Sequence, residues 1–215
     1  MIDPLGVYGS ALRRAAAGDQ PSLEVVGVDG VSLGRLHPAQ WTGGLRPGDH
    51  GLLGRCGGST LDVGCGPGRL AAALARTGRP ALGVDISAEA IRQARRRGAA
   101  ALRRSVFDPL PQEGAWRQIL LADGNIGIGG DPGRLLRRCA GLLRPGGIVL
   151  AEVRPPGQPS WAADVVLRDG ERRSDAFAWA GVAAPDVAGL AREAALRVLD
   201  QWTEAGRWFA RIAAN

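Results

Sequence analysis

The stretch TLDVGCGPGRL, Thr60 to Leu70, limits the fold of this chain more than any other. It opens as a short apolar run of the buried parallel-strand type and ends in three glycines, Gly64, Gly66 and Gly68. The RLAAALART that follows sets Leu70 and Leu74 on one helical face. Strand, glycine loop and helix therefore follow one another without a gap. In an open parallel sheet, ligands bind beyond the carboxyl ends of the strands, where strand order reverses. Glycines there admit special torsions and let a ligand approach the main chain, and the next helix N-terminus favours a carboxylate or phosphate. A tight strand-to-helix turn is the plainer account of the same glycines. The surrounding sequence has to decide.

From Thr60 the pattern alternates. ALGVD reads as a second strand ending at Asp85, and Ser87 then caps a helix carrying Glu89, Ile91 and Ala94. AALRRSVFD supplies a third strand and RQILLAD a fourth. GGDPGRLLRRCAGLL is a helix capped at Asp131, with Pro132 at its first position and Leu135, Cys139 and Leu142 on one face. RPGG breaks it, and IVLAEV is a fifth strand. This alternation predicts an α/β, doubly wound sheet with helices on both faces.

The two ends differ from that core. Residues 1–58 predict a short helix near Tyr8 to Ala16 and two strands about the Asp29-Gly30 turn. Residues 154–215 predict a hairpin about Asp169-Gly170, a helix in PDVAGLAREAAL and two strands joined near Ala205-Gly206. At 215 residues, one domain (1–215) with added pieces over its ligand face is the economical organisation: cap 1–58, core 59–153, substrate-side segment 154–215.

All 27 basic residues are arginine, and net charge is +6. RQARRRGAAALRR, Arg92 to Arg104, resembles a basic patch, but no aromatic is interleaved to stack on bases. A solvated helix face is the expectation, with no nucleic-acid partner. No apolar run is long enough to span a bilayer, and the N-terminus lacks the order of a secretory signal, so a cytoplasmic location without membrane contact is expected. Cys56, Cys65 and Cys139 have no metal-like spacing and are expected as free thiols, with Cys65 filling space in the loop.

The G-x-G-x-G spacing differs from the G-x-G-x-x-G of dinucleotide enzymes. Asp85 follows the first glycine by about 20 residues, where an acid can accept bonds from two ribose hydroxyls. LDVGCGPG, GVDIS, FDPLP, ILLADGN and LLRPGGIVLAEV, in that order, resemble the class I S-adenosylmethionine-dependent methyltransferases. The resemblance covers Thr60 to Val153 well and the C-terminal strands more loosely. It implies a Rossmann-like seven-stranded sheet with an antiparallel final hairpin, plus N-terminal and post-strand-five lid segments.

By the same resemblance, Asp62 and the loop of Gly64, Gly66 and Gly68 meet the amino acid part of S-adenosylmethionine. Asp85 and Ile86 meet the ribose side, Phe107 and Asp108 flank adenine, and Ala122 and Asp123 line the cleft near the methyl donor. Each acid has a plainer alternative: Asp62 as a loop cap, Asp85 as a strand-end acid, Asp108 as a turn residue before proline.

Methyl transfer from a sulfonium is an in-line displacement, so positioning supplies much of the acceleration, and a base helps only when the nucleophile must lose a proton. After strand four the chain reads Asp123-Gly124-Asn125-Ile126, without the proline-containing motif of amino-methylating nucleic-acid and protein enzymes of this class. No Pro-Cys pair is present for attack on a pyrimidine ring, and the acid pattern that binds magnesium in catechol enzymes is missing. A small-molecule acceptor methylated on oxygen or nitrogen is the expectation, with no metal, from a monomer or homodimer. Asp123 and His37 are the candidate catalytic residues. A nicotinamide-dependent oxidoreductase and a non-catalytic cofactor-binding regulator are the alternatives.

Overall fold

The computed structural model describes residues 2–214. Helix α1 (Pro4–Ala16) is capped by Asp3, which accepts from the Leu5 N–H, with Pro4 at the first helical position. Strands β1 (Leu23–Gly27) and β2 (Ser32–Leu36) form the antiparallel pair expected about Asp29-Gly30. Short helices α2 (Ala39–Thr42) and α3 (Asp49–Gly54) lead to β3 (Thr60–Val63). The core then alternates through α4 (Arg69–Arg76), β4 (Ala81–Asp85), α5 (Ala88–Arg96), β5 (Ala101–Arg103) and β6 (Trp116–Leu121). A 3₁₀ turn (Asn125–Gly130), α6 (Pro132–Leu142) and β7 (Leu143–Val153) complete it. Beyond lie β8 (Trp161–Asp169), β9 (Arg172–Arg173), β10 (Phe177–Gly181), α7 (Val187–Glu193), β11 (Leu196–Glu204) and β12 (Arg207–Ala214).

Seven strands form one sheet in the order β11-β12-β7-β6-β3-β4-β5. β3 to β7 run parallel, and β12 lies antiparallel to both β7 and β11. The chain leaves β3 toward β5 and returns to β6 on the other side, so the switch in strand order falls between β3 and β6. This is the Rossmann-like sheet with an antiparallel final hairpin. β3 is buried along its whole length, as a strand covered by helices on both faces must be. Leu61, Ile119, Leu121 and Val149 pack with Leu135 and Cys139 of α6 on one side, while Leu120, Leu150 and Phe209 pack with Leu70 and Leu74 of α4 on the other.

Two caps match their sequence signals. Ser87 Oγ accepts from Ala90 N–H at 3.3 Å, and Asp131 Oδ1 from Arg134 N–H at 2.8 Å. The third core strand is shorter than AALRRSVFD suggests. Only Ala101–Arg103 pairs, because β5 is an edge strand with β4 as its one partner, and Arg104 onward turns over the ends of the strands.

The two flanking segments build a second sheet together. Its order is β10-β8-β1-β2, with β9 pairing β8, and all its pairings are antiparallel. β9 is two residues long, so the Asp169-Gly170 hairpin is a minor feature, and the principal partners of β8 are β1 and β10. Helix α1 joins the two sheets. Val7 and Ala11 pack with Leu23, Val25, Val165 and Leu167 of the second sheet, while the Leu12 carbonyl accepts from Gln93 Nε2 of α5 at 3.1 Å.

The basic stretch is not wholly a solvated face. Arg95 and Arg96 are exposed, but half-buried Arg97 donates to the carbonyls of Trp41 (3.1 Å) and Thr42, which ties α2 to the end of α5.

Candidate active site

A cavity of about 650 Å³ opens between the carboxyl ends of the parallel strands and the second sheet. Its floor carries Asp62, Gly64, Gly66, Asp85, Ile86, Phe107, Ala122 and Asp123. Its roof is apolar: Val25, Leu36, Leu167, Phe177 and Trp179 from the second sheet, with Tyr8 of α1 and Trp41 of α2. All but three of the residues anticipated from sequence are thus brought to one place. The exceptions are Gly68, Asp108 and His37.

The three glycines serve different purposes. Gly68 has φ +77°, and a β-carbon there would stand 2.7 Å from Ala94 Cβ, so it is required by close packing of the loop on α5. Gly64 lies under Asn125, whose Nδ2 donates to the Val63 and Gly64 carbonyls at 2.9 Å each. Gly66, φ +53°, has the Tyr8 hydroxyl 3.3 Å from where its β-carbon would stand, and it borders the cavity. Only Gly66 and Gly64 present backbone to a ligand.

Asp85 ends β4, and both its oxygens face the loop. Oδ2 accepts from Gly66 N–H at 2.9 Å and Oδ1 from Ser87 N–H at 2.8 Å. It is therefore more than a strand-end acid: it fixes the glycine loop to the start of α5. Burial raises its pKa, and the Ser87 and Gly66 N–H groups hold it down. Asp62 is 2% exposed. Burial above all, with Asp123 adding to it, pushes its carboxyl up to about 7, while the Ala71 N–H pulls the other way. Burial, reinforced by Asp85, likewise raises the Tyr8 hydroxyl well above its usual range, so it stays protonated. Cys65 is buried, and burial raises its thiol too, which fits a space-filler and not a nucleophile.

Asp108 departs from its expected role. It is exposed, does not border the cavity, and accepts from the Ser105 N–H at 3.3 Å, which makes it the turn residue of its plainer reading. His37 is exposed between β2 and α2 and does not line the cavity; among the described lining residues there is no histidine.

Asp123 does line the cavity, but its carboxylate is already engaged. Oδ1 accepts from Arg46 at 2.6 Å and Arg207 at 3.4 Å, and Oδ2 from Arg69 at 2.5 Å. Its backbone is held at φ +54° while its N–H donates to Glu152 Oε2 at 2.7 Å. Both of its oxygens are thus taken up by guanidinium groups. Its part is to anchor a network that the sequence did not disclose. Arg69, 4% exposed, also pairs with fully buried Asp49, and Arg207 bonds Asp49 at 2.8 Å and Glu152 at 2.7 and 2.9 Å. Arg207 therefore holds Glu152 below the usual carboxylate range despite burial. The network ties α3, α4, β7 and β12 together beneath the cavity. The one local signal was a charged residue, Arg69, on the face of α4 that an apolar residue would otherwise fill.

Comparison with known proteins agrees with this geometry. Residues 60–147 match a family model described as a methyltransferase domain. The parallel core of the chain is thus similar to methyltransferase domains. A ubiquinone biosynthesis O-methyltransferase from Caulobacter vibrioides is 37% identical over 95 residues, 41% of this chain and 38% of that one. The chain spans about a third to a half of the length of the curated relatives it matches. Among solved structures, a SAM-dependent methyltransferase from Bacteroides fragilis in complex with S-adenosyl-L-homocysteine superposes with a TM-score of 0.79 at 22% identity, covering 99% of this chain and 95% of that chain. The 1,6-didemethyltoxoflavin-N1-methyltransferase of Burkholderia thailandensis gives a TM-score of 0.54 at 20% identity, over 96% and 79% of the two chains. At these identities the likeness is one of fold. Unlike the core, the arginine network was not foreseen from the sequence.

Among the described residues, no helix is long and apolar enough to cross a membrane, and no group of three His, Cys, Asp or Glu is placed to hold a metal ion.

Proposed function

We propose that this chain transfers a methyl group from S-adenosylmethionine to a small molecule bearing a nucleophilic oxygen or nitrogen. The observation that carries this reading is the two-sided cavity, with carboxylates and bare backbone on its floor and an aromatic roof lowered over it. Asp62 suits the ammonium of the cofactor's amino acid part. Each oxygen of Asp85 accepts one backbone N–H and keeps a lone pair for a ribose hydroxyl. Phe107 and Ile86 offer apolar surface to adenine, and Gly66 leaves the space a close-lying ligand needs. The cofactor supplies an activated methyl group; the protein's contribution is alignment and exclusion of water. Tyr8, whose protonated hydroxyl borders both the glycine loop and the roof, is the polar group best placed to orient the acceptor.

A cavity closed by a second sheet suits a metabolite and not a polymer. The relatives named above act, by their names, on ubiquinone precursors and on 1,6-didemethyltoxoflavin, both small molecules, which supports the same class here. We read the whole chain as one unit, with the second sheet as the acceptor wall. Calorimetry with S-adenosylhomocysteine and with NADH tests the reading. Micromolar binding of the former alone is expected. Binding of NADH in its place would overturn the proposal.

A further inference from the structure

Beyond the network, one half-buried arginine has no acid partner among the described residues. Arg154 follows β7, and its main chain is fixed by bonds to the Val182 carbonyl (2.8 Å) and from the Ala184 N–H (3.0 Å). Its side chain makes no hydrogen bond and no ion pair among the described residues, and its Nε is buried without a partner. The indole Nε1 of Trp161 is buried and unpartnered as well. The two groups meet over Gly181. A β-carbon built there would stand 2.6 Å from Trp161 Nε1 and 2.8 Å from Arg154 Cδ. A glycine at this point of β10 is what lets both side chains lie together.

They border a side cavity of about 260 Å³. Val25, Leu36, Asp123 and Trp179 line both this space and the main cavity, so the two adjoin at the end of β6. The acids on its wall, Asp123 and Glu152, are taken by Arg46, Arg69 and Arg207. Arg35, exposed on β2, also lines it and forms no ion pair among the described residues. The unclaimed charge on this wall is therefore positive. Native interiors leave few buried donors unpaired, and a half-buried guanidinium with no acid beside it is a ready partner for an anion. Burial alone lowers the Arg154 pKa, with no carboxylate to offset it, yet a guanidinium keeps its charge.

We infer that this side cavity receives an anionic oxygen group of the acceptor, a carboxylate or a phosphate, held by the terminal nitrogens of the Arg154 guanidinium, with the Trp161 ring packed behind it. The apolar body of the acceptor then lies against Trp179 and Leu36, with its nucleophile toward the glycine loop. This deepens the methyl-transfer reading and rests on it for the identity of the ligand, though not for the anion site itself.

The test uses the full chain with three probes of similar shape: benzoate, phenyl phosphate and neutral benzamide. Their binding is measured by calorimetry and by thermal shift, with and without saturating S-adenosylhomocysteine. At least one anion should bind about tenfold more tightly than benzamide, as a charge-assisted bond implies, and should raise the melting temperature. The tighter of the two anions assigns carboxylate or phosphate. Arg154→Gln should erase the discrimination while S-adenosylhomocysteine affinity stays within about twofold. Arg154→Lys, which keeps charge and loses the planar fork, should retain part of it. Should Arg154→Gln fail to fold, Arg154→Met keeps the apolar stem without the charge and should weaken the anions severalfold but not benzamide. Equal binding of all three probes, no measurable anion binding, or discrimination that survives these substitutions would overturn the site. Failure of S-adenosylhomocysteine to bind, with anion discrimination intact, would instead strike the methyl-transfer reading alone.

Discussion

The two sheets that enclose the cavity are built on opposite plans. In the seven-stranded sheet each parallel strand is joined to the next through a nearby helix or loop, and the strands are apolar on both faces. In the smaller sheet, β1 at residues 23–27 pairs with β8 at residues 161–169, so its central pairing joins the two ends of the chain. Its outer strands β2 and β10 are largely exposed or half-buried, while the centre of β8, Val165 to Leu167, is buried. The first sheet presents acids and bare backbone to the cavity; the second presents aromatic rings. The difference teaches that the floor of the cavity is set by local sequence and its roof is not.

The largest expected effect strikes the underside of the first sheet. Arg69→Ala leaves the buried Asp49 carboxylate short of a partner and loosens Asp123, and breaking such a buried pair costs about 3–5 kcal/mol. Urea unfolding should show a loss of that size, and Arg69→Ala combined with Asp49→Ala should cost less than the sum of the single changes. Additive losses would mean that the network is not coupled.

Asp85→Ala comes next. It should weaken S-adenosylhomocysteine binding by about tenfold to several hundredfold. Because Asp85 also bonds Gly66 and Ser87, the loop should loosen too, which hydrogen exchange at Gly66 would register. Wild-type protein should bind a 2′-deoxy analogue more weakly than the parent, and the variant should scarcely distinguish them. Equal discrimination by both would place the ribose elsewhere.

A pH series sharpens the same side of the comparison. The Asp62 carboxyl, raised from 3.8 to about 7, is protonated below that pH and must ionise to pair with an ammonium. Affinity for S-adenosylhomocysteine should rise up to pH 7, by nearly tenfold per unit at the steepest, and level off above it. In Asp62→Asn this rise should vanish. A rise that persists there belongs to another group.

The smallest expected effect on cofactor binding lies across the cavity. Trp179→Ala removes roof surface and should lower kcat/KM for the acceptor by about tenfold. Affinity for S-adenosylhomocysteine should stay within about twofold. A comparable loss of cofactor affinity would mean that the second sheet covers the cofactor as well.

The sequence by itself determined the parallel core. The apolar run before Gly64, the caps at Ser87 and Asp131, and Asp85 closing its strand are all signals carried within a few residues, where hydrogen-bond geometry and periodicity act. The same local logic located Asp62, Gly66, Phe107 and Asp123 at one rim, because successive parallel strands end on the same side. Asp108 turns to the Ser105 N–H and lies off the cavity, since a carboxylate two bonds from its backbone turns as readily to a neighbouring N–H as to a ligand. His37 is exposed and off the cavity, and no local pattern states which way a loop side chain faces. Tertiary structure alone decided that Arg46, Arg69 and Arg207 would converge on Asp49, Asp123 and Glu152, and that β1 would pair with β8. Ion pairs between residues 20 to 158 positions apart, and a strand pairing such as Glu24 with Arg168, leave no period in the chain. They are chosen only when the folded core brings charges together out of water and leaves unpaired strand edges side by side.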